Sequence, residues 1–140
     1  MDDYEQVEDD EDEAPQLRKY TLEEANAALV DVRPVLVELR ELWTGANDER
    51  EAFEQAQSSG RSPMEVSLAH QHLVSALWDV QPLVAWLRER DIVLRDPATG
   101  LIDFLSEVGG EDGFLCWRLG EDRIDYWHGT DEGFANRKPL

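Results

Sequence analysis

His128 is the residue best placed to do chemistry. It follows Tyr126-Trp127 and precedes a carboxylate-rich segment holding Asp131 and Glu132. An imidazole beside these acids, or beside Asp103 of a neighbouring hairpin, could act as an acid–base pair or as part of a metal site. A lone histidine among Leu and Trp also reads as a hydrogen-bonded strand-edge residue, and both readings stay open. Cys116 would be a nucleophile only if a base lowered its pKa. Arg118 and Asp125 suit a cross-strand ion pair with Trp127 beside it, and Trp and Arg are what interface hot spots favour. Together with Glu121 and Arg137 they form the candidate binding surface. His70 and His72 are two apart on a predicted helix and point away from each other, so they cannot share a metal. The sequence has no nucleotide-binding glycine motif, metal-binding Cys pair or nucleophile elbow. No catalytic residue and no cofactor is therefore assigned.

The stretch from Phe114 to His128 must position most of these residues. Apolar and polar residues alternate on both sides of Gly120-Glu121-Asp122, as half-buried strands require. Setting Leu119 against Ile124 pairs Trp117 with Tyr126, Leu115 with His128 and Arg118 with Asp125. That register predicts a core face of Leu115, Trp117, Leu119, Ile124, Tyr126 and His128. Cys116, Arg118, Asp125 and Trp127 form its outer face, opposite His128, so Cys116 reads as a small half-buried hydrophobe.

Two helices precede the strands. Thr21-Leu22-Glu23-Glu24 is a capping box, and Leu22, Ala25, Leu29, Val32, Leu36, Leu39 and Trp43 recur at threes and fours. The seam keeps its phase across Pro34, which predicts one kinked, continuous helix over about 21–57. Ser62, Pro63 and Glu65 open a second helix, about 62–90, with a second capping box expected. Its seam of Val66, Leu73, Val80 and Leu87 matches the first in phase, as an antiparallel hairpin needs. Trp78, Pro82 and Trp86 lie off that seam and read either as the dock for a sheet or as an exposed aromatic groove. Ile92 to Arg95 and Leu101 to Leu105 are short strands around the turn Asp96-Pro97-Ala98-Thr99-Gly100. Glu107 to Gly113 reads as a loop. The fold class is thus α+β, a two-helix hairpin on a small antiparallel sheet of two β-hairpins spanning 92–128.

With 140 residues the chain is one domain's worth. Residues 1–13 hold nine acids and no base, and are expected to be a disordered acidic tail before a single domain over 14–140. A net charge of −19 makes nucleic acid and anionic membrane poor partners. No apolar run reaches transmembrane length, the N-terminus lacks a basic n-region, and the one cysteine excludes an internal disulfide, so a cytoplasmic protein is expected.

Several stretches resemble a known family. Tyr20-Thr21-Leu22-Glu23-Glu24-Ala25-Asn26, Asp96-Pro97-x-Thr99-Gly100-Leu101-x-Asp103-Phe104 and Leu115-Cys116-Trp117-Arg118-Leu119-Gly120-Glu121 are similar to prokaryotic proteins grouped as domain of unknown function 2203. Tyr126-Trp127-His128, Gly133-Phe134-Ala135 and Arg137-x-Pro139 match its ending, and the resemblance spans about 20–140. It implies no activity, substrate or cofactor. Leu105 and Asn136 stand where the family pattern has Pro and Gly. Two functions remain: a non-catalytic protein-interaction module, acting on a protein partner or on itself as a homodimer, and a small metal protein or enzyme built on His128 and Asp103.

Overall fold

The structure is a computed structural model that describes residues 16–140. The acidic segment 1–13 lies outside the described residues. Two helices are followed by a five-stranded antiparallel sheet, the α+β arrangement expected. Helix α1 runs Leu22–Ser58 and α2 Pro63–Glu89. The strands are β1 (Ile92–Asp96), β2 (Leu101–Val108), β3 (Glu111–Arg118), β4 (Tyr126–Gly129) and β5 (Lys138–Pro139), in the order β1-β2-β3-β4-β5.

The start of α1 is built as its sequence dictates. Glu24 N–H donates to Thr21 Oγ1 (3.0 Å), and the Thr21 N–H donates to Glu24 Oε1 (2.9 Å). The helix continues through Pro34, whose ring lies on the exposed side, where water can take up the carbonyl bond that proline cannot make. Ala25, Leu29, Val32, Leu36 and Leu39 are buried as one stripe. Tyr20, just before the cap, is already core. Its N–H donates to Leu105 O (2.7 Å), its hydroxyl to Arg90 O, and its ring meets Phe104 edge-on at 4.9 Å. In α2 the Ser62 cap accepts from Glu65 N–H (3.2 Å), but the box is not closed. The Glu65 carboxylate pairs instead with Arg61 at 3.3 Å, a cation four residues upstream on an exposed turn.

The sheet packs one face on the helices. Ile92, Ile102, Phe104, Leu115 and Trp117 join the α1 stripe, Val80 and Leu87 in one core. The turn at 96–100 forms as its residues require: Asp96 accepts from Ala98 N–H (3.1 Å) and Thr99 Oγ1 (2.9 Å), and Gly100 takes φ 69°.

Two expectations about the strands are corrected. Glu107 to Gly113 is not a loop. β2 and β3 extend to a Gly109-Gly110 turn with φ 61° and 85°, and pair over their full length. Paired positive-φ glycines form the tight turn whose twist matches its flanking strands. The second correction is the register of β4. Leu115 stands opposite Trp127, Cys116 opposite Tyr126 and Phe114 opposite His128, one residue away from the alternation-based pairing. The reason is that β3 is buried on both faces from Gly113 to Trp117, so alternation carries no phase there. Ile124, the residue used to set the phase, reaches the core from the loop, where its N–H donates to Asn26 Oδ1 of α1 at 2.8 Å.

Gly100 is the backbone position least able to change. A Cβ there would lie 2.6 Å from Leu119 Cβ, on top of an unfavourable left-handed φ. Gly100→Ala is expected to cost about 2 kcal/mol or more. Urea denaturation would show a lower midpoint with an unchanged slope.

Candidate functional site

The sheet face turned away from the helices holds the chemistry. Asp103 on β2 and Cys116 on β3 are direct partners in register, and His128 on β4 lies one step diagonally beyond. All three are 1% exposed. His128 Nε2 is 2.9 Å from Asp103 Oδ2, and Nδ1 is 2.9 Å from Gly129 O. Arg95 Nε donates to the same Oδ2 at 2.7 Å. Asp103 Oδ1 has no hydrogen-bond partner among the described residues. The pairing of His128 with Asp103, which the sequence leaves open, is therefore made. The separation of His128 from Cys116 is corrected, because the one-residue shift in register brings both to one face. His128 and Tyr126 consequently leave the core face, and Trp127 replaces them there, packed against the core cluster.

Burial, with the charge of Asp103, pushes the Cys116 thiol up to about 12. Such a cysteine is a protonated thiol and a poor nucleophile by itself.

Beside this buried trio sits an arginine–aromatic cluster. Arg137 clamps Glu121 through both guanidinium nitrogens (3.0 and 2.9 Å) and stacks over Tyr126 and Phe134, each at 4.2 Å. Arg118 also lies over the Phe134 ring at 5.0 Å, and its N–H donates to Glu121 Oε1 at 2.7 Å. Burial tends to raise the Glu121 carboxyl, but Arg137 and the Arg118 amide outweigh it and hold it below its ordinary value. Of the five residues proposed for binding, the structure thus brings Arg118, Glu121 and Arg137 together. Asp125 and Trp127 stand elsewhere. Asp125 pairs with Arg123 at 3.0 Å, not with Arg118, and Trp127 points to the helix side under Lys138. Sequence reasoning missed Arg95. Its signal was present, since Arg95 is two residues after Val93, which pairs with Asp103.

A second surface lies on α2. Met64, Leu68, Gln71, Ser75, Trp78 and Pro82 follow steps of four and three along its exposed side. Trp86 packs against the core, but Trp78 is 69% exposed and borders a groove with Val74, Leu77 and Gln81. The reading of all three stripe residues as one dock for the sheet holds only for Trp86. His70 meets Phe53 of α1 ring to ring at 5.2 Å, away from His72.

A helical hairpin capping one face of a meander sheet, with a buried Asp–His–Cys group on the other, defines a compact α+β protein class. A family model described as "Uncharacterized conserved protein (DUF2203)" matches residues 18–140, and the chain belongs to that family. No curated protein and no solved structure matches the chain.

Glu121 provides a pH test of the arginine cluster. Its folded pKa is lowered, so its contribution is full above the ordinary value of 4.5 and is lost as the pH falls through the lower folded value. Glu121→Gln should cost about 2 kcal/mol at neutral pH, the scale of a hydrogen bond to a charged group. Urea midpoints of the two proteins should converge in acid.

Proposed function

We propose that this protein is a non-catalytic interaction module that works as a homodimer, joined through the exposed side of α2. The supporting observation is the uncharged seam centred on Trp78. From Val66 to Leu87 the helix carries one charged side chain, Asp79, in a chain that is 32% charged. The exposed positions of α1, by contrast, include Glu38, Glu41, Asp48, Glu51 and Glu54. A solvated helix face ordinarily carries charge, and a neutral one of this length with an open Trp suits a protein contact.

Charge selects the partner. Two chains of −19 repel wherever carboxylates meet, so copies can associate only through a face without them. A basic partner would instead be drawn to the acidic surfaces and would gain nothing from a neutral stripe. A two-fold antiparallel pairing of α2 with its copy places each seam on itself and makes a four-helix bundle. The same net charge disfavours nucleic acid. No described helix is long and apolar enough to cross a membrane. A reduced, buried cysteine fits a cytoplasmic location.

Sedimentation equilibrium is the direct test. The wild type should sediment as a dimer, and Trp78→Glu as a monomer with unchanged circular dichroism. Raising salt from about 0.05 to about 0.5 M should tighten the dimer by screening its self-repulsion. A monomeric wild type at all concentrations, or a Trp78→Glu variant of unchanged mass, would refute the reading. Trp127→Ala serves as the contrast. Its ring packs on the core, so it should lower stability by about 3 kcal/mol and leave the association constant of the folded protein alone.

A further inference from the structure

We propose that Asp103, Cys116 and His128 form a binding site for a borderline-soft divalent cation, with Zn²⁺ the best fit. The inference is independent of the dimer. Its first support is placement. Three different donor atoms, one oxygen, one sulfur and one nitrogen, come from three adjacent strands and lie within 4.8 Å of one another. Strand side chains fixed by a ladder on each side are held more closely than loop residues.

The second support is the hydrogen bonding of His128. Gly129 O can only accept, so Nδ1 must carry a proton and donate to it. Nε2 then faces Asp103 Oδ2 at 2.9 Å. A neutral imidazole would set a lone pair against a carboxylate lone pair, which is repulsive. Something positive must lie between them, a proton or a metal ion. An Nδ1–H bound to a backbone carbonyl, with Nε2 turned inward, is also how metal-binding histidines are ordinarily oriented.

The third support is Asp103 Oδ1. It is buried and has no hydrogen-bond partner among the described residues, a costly arrangement unless a ligand uses it. Oδ1 can take the ion while Oδ2 keeps Arg95, so the outer partner of the carboxylate is already in place. With bonds of about 2.0–2.3 Å, tetrahedral ligands stand about 3.5 Å apart, a modest contraction for side chains alone. The mixed sulfur, nitrogen and oxygen set excludes Mg²⁺ and Ca²⁺, which want oxygen throughout. As the ion binds, the Cys116 thiol proton and the proton between His128 and Asp103 leave to solvent. The Arg95 side chain bonded to Oδ2 is 41% exposed, so one contact of the site reaches the surface.

Co²⁺ is the probe. Reduced, chelator-treated protein is titrated with Co²⁺ and followed by absorption. The expected result is one equivalent bound, visible bands of tetrahedral strength and a thiolate-to-cobalt charge-transfer band, all displaced by Zn²⁺. Cys116→Ser, close in size, should lose the charge-transfer band. His128→Gln should bind about tenfold more weakly or worse. Zn²⁺ should also raise the Tm of the wild type and do so less for Cys116→Ser. Should a variant fail to fold, the wild-type charge-transfer band decides alone, because Cys116 is the only source of thiolate. Cobalt bound without that band, or bound equally by Cys116→Ser, would place it elsewhere and overturn the proposal. An absence of both binding and Zn²⁺ stabilisation would mean that a proton alone bridges His128 and Asp103.

Discussion

Asp103 is a carboxylate in the middle of a sheet with no access to water, and the far face of the sheet is arranged around it. An uncompensated ion at such a place costs several kcal/mol, so it persists only with partners. His128 and Arg95 both approach one of its oxygens, and they come from the strands on either side of the β2-β3 pair. This ties β1, β2 and β4 together across β3 by side-chain hydrogen bonds as well as by the backbone ladder. The register of β4 is the one that lets His128 reach Asp103. The slipped alternative would turn the imidazole to the helix side and leave Asp103 with Arg95 alone.

The opposite faces of the sheet are therefore closed by different means. The helix side is closed by apolar packing, with Trp117, Phe104 and Leu115 against the α1 stripe. Among the described residues no α-helix covers the far side, which carries only the single 3-10 turn Phe134–Asn136. There the long side chains of Arg95 and Arg137 lie over Phe114, Tyr126 and Phe134, and the C-terminal strand pairs with β4. Guanidinium groups suit this role because they cover a ring with their flat face while their edges stay paired or solvated. A chain with only 13 basic residues places Arg95, Arg118 and Arg137 on this one surface.

The helical hairpin has a comparable division. Its first half supplies the core from Ala25 to Leu39. Beyond Leu39, α1 buries only Ala46 and Ala56, and α2 buries nothing before Val80. A helix of 37 residues is about 55 Å long, more than a small sheet can cover. The distal hairpin is thus held mostly by half-buried side chains, with Phe53 against His70 among the contacts and Met64, Leu68 and Trp78 left open. The neutral outer side of α2 is what such an arm presents.

The helices were legible in the sequence because their information is local. A capping box, a proline at the first turn and an apolar period of three and four each act within a few residues, and tertiary packing had no reason to override them. The turn at Asp96-Gly100 was legible for the same reason. The pairing of β4 was not. Period-two alternation fixes a register only when one face of the strand is wet, and Gly113 to Trp117 are buried on both. The candidate site inherits that ambiguity, since one residue of slip decides whether His128 faces Cys116 or opposes it. His128 and Asp103 could be named from their chemistry. Their meeting with Cys116 and Arg95 is a long-range fact, set by Ile124 entering the core from a loop and by the glycine turn that lengthens β2 and β3. Residue types and local spacing determined the helices, the turns and the list of reactive groups. Only the tertiary structure decided which of those groups share a face, because that depends on what covers each side of the sheet.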